Sequence, residues 1–433
     1  EIPKRDWSSD VCSSDLPPMK KVAKKPEDRQ GVQQLVLDIP EIVGRELHEL
    51  VVGAGMSVLA KMLEAEREKL CGPRYAHSSS RTASRAGHAP GELSLGGRRV
   101  AVQRPRVRRA DGTEAKLRTW ELFSGDDPLR ERALEQVVVG VSTRKYSRSL
   151  EDVDVKTRGA SKSAVSRRFV ALTEKRLGEL MKADLARIDL AVLMIDGIHI
   201  GDHVVLVALG VDVDGTKHVL GLHEGATENA TACSGLLANL AERGMRTDQS
   251  VLVVIDGNPA LRKAVRAVFG DKAVVQRCQV HKMRNVVDHV PESMQTTVKT
   301  TMRQAYKAKQ IDRARRQLEN LARALEKDHP SAAASIREGL EETLTVKRFD
   351  LPDALTRTLS TTNPIENIQS GIRRVCKRVT TWRGGSMILR WVGAAVVEHS
   401  RGFRRLRGHA GLRALVGALR KRDLGVAHQG KVA

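Results

Sequence analysis

Two short apolar runs, each closed by Asp-Gly, set the frame of the chain. Ala191 to Ile195 lead into Asp196 and Gly197, and Val251 to Ile255 lead into Asp256 and Gly257. A continuous apolar run of this length predicts a buried strand, and the Asp-Gly pair predicts a carboxylate where that strand leaves the core. In α/β sheets, ligand sites gather at this end of the strands. Asp-Gly is also a common turn pair, so either aspartate alone is open to a turn or cap reading. Its recurrence favours a shared site.

The stretches around these runs fill in a domain. HVVLVALGVDVDG and KHVLGLHEGA predict two strands joined at Asp214-Gly215, and a helix follows over residues 230–244. Asn258-Pro259 opens a helix reaching Phe269, and AVVQRCQVHK predicts one more strand. The order β-β-β-α-β-α-β is that of an RNase H-like domain. There the first and fourth strands are neighbours, which would bring Asp196 and Asp256 together. Residues 291–355 change period: Met302, Ala305, Leu318, Leu321 and Leu325 recur at helical spacing among Arg, Lys and Glu.

Upstream, Ile42, Leu47, Leu50, Val51, Met56, Leu59 and Leu63 predict a pair of helices from Asp38 to Leu70, broken near Gly53 and Gly55. ELSLGGRRVAVQRPRVRRADG alternates apolar and basic around Gly96-Gly97 and predicts a hairpin. Its Arg98, Arg104, Arg106, Arg108 and Arg109 suit either a phosphate-facing or a solvated strand face. Residues 126–182 read as all-helical. In STRKYSRSLEDV and GASKSAVSRRFVALTEKRL, Gly159 would turn the chain and Ser161 would cap a helix with Lys162, Ser163, Ser166, Arg167 and Arg168 on its first turns. This is helix-turn-helix grammar, in which the second helix offers its N-terminal residues to the major groove of DNA.

Near the C-terminus, TTNPIENIQSGIRRVCKRVTTWRGG places Asn363 as a helix N-cap, Pro364 at the first helical position and Glu366 at the capping-box position. A box glutamate needs no function. Ile365, Ile368, Ile372, Val375 and Val379 form the apolar stripe, which leaves Glu366, Arg373 and Lys377 near one another on the other side.

Charge then narrows the partner. Seventy-four Lys and Arg against 52 Asp and Glu give +22, which implies a polyanion, nucleic acid first. With aromatics at 3%, stacking along a single strand is poorly served, so a duplex is expected. Residues 371–410 are strongly basic, and Arg373, Arg374, Lys377, Arg378 and Arg383 are expected to line a DNA channel. Trp382 would pack either on DNA or in the core. Close carboxylates repel unless a cation lies between them, and oxygen donors suit Mg²⁺ or Mn²⁺. Two such ions, roughly 3.5–4 Å apart, serve phosphodiester chemistry, and that chemistry needs a third acid.

Five cysteines at 12, 71, 233, 278 and 376 form no paired framework, and no apolar run of membrane-spanning length occurs. A cytoplasmic, reduced protein is expected. Residues 1–18 resemble read-through translation of a sequencing adapter and are set aside as a non-native leader, with Met19 as the expected start of a basic tail. Cys278 and His281 have half of a zinc-site spacing without a second pair, so a zinc ion is not expected.

With Asp196, Asp256 and Asn363-Pro364-Ile365-Glu366-Asn367 in this order, together with Cys278-x-x-His281 and SKSAVSR, the chain resembles the mutator-type transposases of bacterial insertion sequences from about Leu35 to Arg407. The resemblance implies an Asp-Asp-Glu triad of Asp196, Asp256 and Glu366, binding two Mg²⁺ or Mn²⁺ ions in an α/β RNase H-like core. It implies an all-helical insertion within that core, with Cys278 and His281 supporting the active site. The expected organisation is a helical and basic hairpin region at 19–125, a helix-turn-helix DNA-binding region at 126–185, the first part of the core at 186–290, the insertion at 291–355, and the last part of the core with basic C-terminal helices at 356–433. The implied activity is cleavage at an element's end and strand transfer to a target, by a copy-out route through a circular intermediate. The implied partners are double-stranded DNA, as terminal inverted repeats and target, and further copies of the chain in a synaptic dimer or higher oligomer, in a bacterial cytoplasm at the nucleoid. A structure-selective nuclease of the RNase H-like group would cut without joining, and a domesticated DNA-binding protein would bind without cutting.

Overall fold

A computed structural model describes residues 53–75, 81–95, 98–124, 130–143, 145, 157–158, 161–225 and 229–429. The leader, the basic tail, the Gly96-Gly97 turn, Gly159 and most of STRKYSRSLEDV lie outside them. The chain divides into two units, one of Glu1–Gly91, Gln103–Glu121 and Glu151–Lys156, the other of Glu92–Val102, Leu122–Leu150 and Thr157–Ala433.

In the first unit, helix α1 covers residues 53–71 and buries Leu59 and Leu63. It runs through Gly55, at a cost of only about 1 kcal/mol for a helical glycine, while the first of the two expected helices lies outside the described residues. Strands β1 (Ala83–Leu95) and β2 (Arg98–Arg109) are neighbours in one sheet. Arg104 and Arg106 both pair with Glu114, at 2.7 and 3.0 Å, which neutralises part of the arginine face read from the sequence.

The second unit is built on a five-stranded sheet. Its strands are β4 (Leu190–Ile200), β5 (His203–Asp212), β6 (Lys217–Gly225), β7 (Val251–Ile255) and β8 (Ala273–Arg277), in the order β6-β5-β4-β7-β8. The first and fourth predicted strands, β4 and β7, are parallel neighbours, and β8 adds parallel to β7. The β5–β6 turn comes where Asp214-Gly215 predicts it, with Gly215 at φ 83°.

Period-two alternation sorts the side chains into two layers. Leu193, Ile195, Val253 and Ile255 pack with Leu236, Leu240 and Leu261 of helices α5 (Ala230–Glu242) and α6 (Pro259–Phe269). Val192, Met194, Leu252 and Val254 point the other way, into a core with Phe169 of α4 (Lys162–Lys182), Ile368 and Ile372 of α13 (Asn363–Cys376), and Val392 of α14 (Gly385–Ser400). The C-terminal helix α15 (Leu412–Gln429) joins this layer through Leu412, Leu415 and Leu419. Residues 291–355 are helical as expected: α8 (Glu292–Lys307), α9 (Ile311–Leu325), α10 (Pro330–Arg337) and α11 (Leu340–Thr343) enclose a core of their own around Met302, Leu318 and Ile336.

Three local expectations are corrected. Strand β4 does not end at Asp196; Ile198 and Ile200 resume the buried alternation and pair onward with β5 until Gly201 turns the chain at φ 58°. Thr157–Arg158, inside the stretch read as all-helical, form the short strand β3 against β2, where the edge of β2 at Arg99 and Val100 offers them a backbone partner. The last strand stops at Arg277, so Cys278 and His281 belong to the start of helix α7 (Gln279–Val287), with Cys278 as its N-cap.

Candidate active site

Asp196 and Asp256 reach the same edge by different means. Met194 pairs with Val254 across the parallel ladder, so two residues further Asp196 stands beside Asp256, on strands about 4.8 Å apart. Asp196 follows the parity of Met194 and therefore belongs to the α13 layer of the sheet, where Gln369 meets it. Asp196, 6% exposed, sits within β4 and is paired across to Val207. Asp256 lies just past the end of β7, where its Oδ1 accepts from the Asn258 amide at 2.9 Å. Asn258 caps α6 in turn, with Pro259 in its first turn, as the sequence predicts.

Glu366 is brought to this edge by α13. The expected cap residue is corrected: Thr362, not Asn363, is the N-cap, and Asn363 and Pro364 are already helical. Glu366 is therefore one position too late for a box with its cap. Its Oε1 instead accepts from the Thr362 hydroxyl at 3.2 Å and lies 4.0 Å from His281 Nε2.

Two residues that the sequence reading missed hold the assembly together. Gln369, buried in the α13 stripe, donates from Nε2 to Asp196 Oδ2 at 3.0 Å and to the Gly197 carbonyl at 3.1 Å. Thr362, fully buried, directs its amide and hydroxyl at Cys278 Sγ, both at 3.4 Å, while its hydroxyl also lies 3.4 Å from His281 Nδ1. The available signal was a polar side chain one turn after Glu366, inside an otherwise apolar stripe. The Cys278 amide also donates to the Ile255 carbonyl at 2.7 Å, and the Gln279 amide to the Ser360 carbonyl at 2.9 Å. The residue before Asp256 is thus tied to the segment before Glu366.

The electrostatics follow from these contacts. His281 is raised to about 9, mainly by its bond with Cys278, against burial and with help from the charges of Cys278, Asp196 and Asp256. It is an imidazolium at neutral pH. Burial pushes the Cys278 thiol up, but hydrogen bonds from His281 and Thr362 outweigh it and hold the group below its ordinary value. The Cys278–His281 pair thus lies beside the acidic edge, with His281 Nε2 4.0 Å from Glu366 Oε1.

The donor set of this edge is carboxylate oxygen, which suits a hard divalent cation. As the side chains stand, no three His, Cys, Asp or Glu among the described residues are gathered closely enough to hold an ion. Glu224 of β6 is engaged by His203 Nδ1 of the paired strand β5.

The expected DNA contacts fall into two groups. On α4, Ser161 caps the helix by accepting from the Ala164 amide at 3.3 Å, and Lys162, Ser163, Ser166 and Arg167 are exposed while Arg168 is half-buried. On and after α13, Arg373, Arg374, Lys377, Arg378 and Arg383 are exposed. Trp382 is half-buried against the core, beside Gly201. No helix among the described residues is long and apolar enough to cross a membrane.

Comparison with known proteins gives one consistent result. Residues 30–405 match the family model described as transposase, Mutator family. The chain is 29% identical over 362 residues to the transposase for insertion sequence element ISRM5 of Rhizobium meliloti, covering 79% of this chain and 85% of that one. It is 26% identical over 389 residues to the transposase for IS1081 of Mycobacterium tuberculosis, with 86% and 89% covered. It is 25% identical over 356 residues to the transposase for IS256 in transposon Tn4001 of Staphylococcus aureus, with 79% and 88% covered.

Proposed function

Because the chain belongs to the Mutator family of transposases, we propose that it is a DDE transposase with an RNase H-like core, whose catalytic carboxylates are Asp196, Asp256 and Glu366. The reaction is attack of water on the phosphodiester at an insertion-sequence end, which frees a 3′ hydroxyl, followed by attack of that hydroxyl on a target phosphodiester, whose own 3′ oxygen leaves. Both steps are in-line phosphoryl transfers, and neither requires a covalent bond to the protein.

The observation that carries this reading is the convergence of two elements far apart in sequence. The β4–β7 register sets Asp196 beside Asp256, and Gln369 fastens α13 to Asp196 within one turn of Glu366. Mg²⁺ or Mn²⁺, as a pair held by the three carboxylates, would supply a water activated at neutral pH and charge compensation on the reacting phosphate. The chain's own part is positional. Asp196 is fixed by its strand and by Gln369, Asp256 by the Asn258 cap, and Glu366 by Thr362 beside a charged His281. Exposed Lys162, Ser163, Ser166 and Arg167, with Arg168, would contact an inverted repeat, and Arg373, Arg374, Lys377, Arg378 and Arg383 the backbone entering the acidic edge. A synaptic oligomer would hold two ends at once.

The test is cleavage and joining of a labelled duplex carrying the element's end, in Mg²⁺, with wild type beside Glu366→Gln. Joined product from wild type and none from the variant is expected. Cutting without joining would favour a structure-selective nuclease. Equal activity in both proteins would reduce Glu366 to a helix-start residue.

A further inference from the structure

On the flank of α13 that carries Asn363 and Asn367 lies a cleft of about 740 Å³. Five cations line it: Lys217 of β6, Arg357 of helix α12 (Asp353–Leu359), and Arg404, Arg405 and Arg407 in the segment between α14 and α15. No acidic side chain among the described residues lines it. Some arginines on this protein are answered by carboxylates, as Arg337 is by Glu319 and Glu326, and Arg315 by Asp312 and Glu341. None of the five cleft cations has such a partner within 4.0 Å among the described residues.

The cleft is also built to last. Leu406, 1% exposed, anchors the arginine segment through its amide to the Gly215 carbonyl at 2.8 Å, so the three arginines flank a fixed point. Lys217 is half-buried with its ammonium 5.2 Å from the Phe403 ring centre, and burial pushes its pKa down. His399 closes the α13 side, its Nε2 2.9 Å from Asn367 Oδ1. Burial, with Arg374 and Lys217 nearby, holds His399 below its ordinary value, so it adds no charge of its own at neutral pH. Cations sharing one cleft without a carboxylate repel one another, and withdrawing Lys217 from water adds to that cost. A fixed anion with several negative charges would relieve both.

We propose that this cleft seats the phosphodiester backbone of a DNA strand alongside the helix carrying Glu366, through a set of cations distinct from the exposed Arg373, Arg374, Lys377, Arg378 and Arg383. DNA is the occupant the geometry favours over an acidic peptide, because Asn367 on the cleft wall is the immediate neighbour of Glu366; this clause rests on the transposase reading. The strand seated here would be the one running past the reacting phosphate, and the cleft would hold it by charge and without regard to sequence.

The test measures binding apart from chemistry. Arg404→Gln/Arg405→Gln/Arg407→Gln alters only exposed side chains, so the full-length variant should keep the wild-type melting temperature. It should bind a labelled duplex at least tenfold more weakly in Mg²⁺-free buffer, and the slope of log affinity against log salt should fall by about 2–3, near 0.9 per lost phosphate contact on duplex and 0.7 on single strand. Lys217→Gln should act in the same direction with a smaller change. Wild-type affinity and slope in the folded triple variant would overturn the assignment, while cleavage by wild type would leave the transposase reading standing. Displacement of the duplex by mononucleotide or inorganic phosphate at comparable phosphate concentration would also overturn it, in favour of a small-anion site. An acidic peptide that competes as well as DNA would overturn it in favour of a protein partner. A wild type that neither binds nor cleaves DNA would overturn both readings.

Discussion

Gln369 reaches from α13 to donate to Asp196 Oδ2 at 3.0 Å, joining the helix of one proposed catalytic acid to the strand of another. Both residues are buried, Gln369 at 3% exposure and Asp196 at 6%. The bond is charge-assisted when Asp196 is ionised, so its loss should cost about 1.5–3 kcal/mol. Gln369→Met keeps the volume and removes the donor. The expected outcome is a folded protein, less stable by about 2 kcal/mol, whose end cleavage falls more than tenfold because Glu366 and Asp196 lose their common register. Denaturant unfolding and single-turnover cleavage, measured on the same preparation, check it. An unchanged cleavage rate would make Gln369 a packing residue only.

Thr362 offers a sharper separation of position from stability. Its hydroxyl lies 3.4 Å from both Cys278 Sγ and His281 Nδ1, and 3.2 Å from Glu366 Oε1. Thr362→Val keeps the shape and deletes that hydroxyl, at a cost of about 1–2 kcal/mol of stability. The expected effect on cleavage is larger than stability explains, and Thr362→Ser should restore it. Equal activities in the Val and Ser variants would argue that the hydroxyl does not position Glu366.

These two residues also mark where the sequence stops being legible. The strand order and the helical stretch at 291–355 follow from local period, which Met194, Val254 and Leu318 carry in plain view. The adjacency of Asp196 and Asp256 follows once the order is known. Three of the features that did not follow show why. The run past Asp196 to Ile200 is hidden because Asp-Gly is a turn signal that a partner strand overrides. The Thr362 cap is hidden because Asn363 is the better cap by propensity, yet Thr362 is held by Cys278, a contact across 84 positions. The basic cleft is hidden because Lys217, Arg357 and Arg404 come from three separated segments, and charge counted along the chain cannot show which cations face one another without a carboxylate between them.

Glu338, in the residues linking α10 and α11, answers two buried cations at once. Arg277 Nη1 lies 2.9 Å from its Oε1 and Lys282 Nζ 3.1 Å from its Oε2, with those two side chains 4% and 2% exposed. Arg277 also donates to the Gly257 carbonyl at 3.1 Å, directly after Asp256. Glu338→Gln leaves two buried charges facing a neutral amide. Breaking a fully buried pair costs about 3–5 kcal/mol, and the 56% exposure of Glu338 reduces that to about 1–3. Lys282→Met in the same background should recover part of the loss by removing one uncompensated charge. Urea unfolding of the three proteins checks the order: wild type most stable, the double variant between, the single variant least.

Asp423 gives a prediction in pH. From α15 it accepts from the Ser250 hydroxyl at 2.7 Å and from Lys272 Nζ at 2.8 Å, clamping the C-terminal helix to the start of β7 and to the turn before β8. Burial pushes its carboxyl up, but the Lys272 and Ser250 bonds outweigh this and hold it below the ordinary 3.8. A carboxyl lowered in the folded state contributes stability that is complete above its unfolded value and disappears as pH falls through its folded value. Asp423→Asn should therefore destabilise the protein by about 1–3 kcal/mol at pH 7. The gap to wild type should stay constant down to about pH 5 and narrow below pH 4, where Asp423 becomes protonated. Paired melting curves across that range decide it. A gap that widens in acid would mean that Asp423 is held by something other than its ionised form.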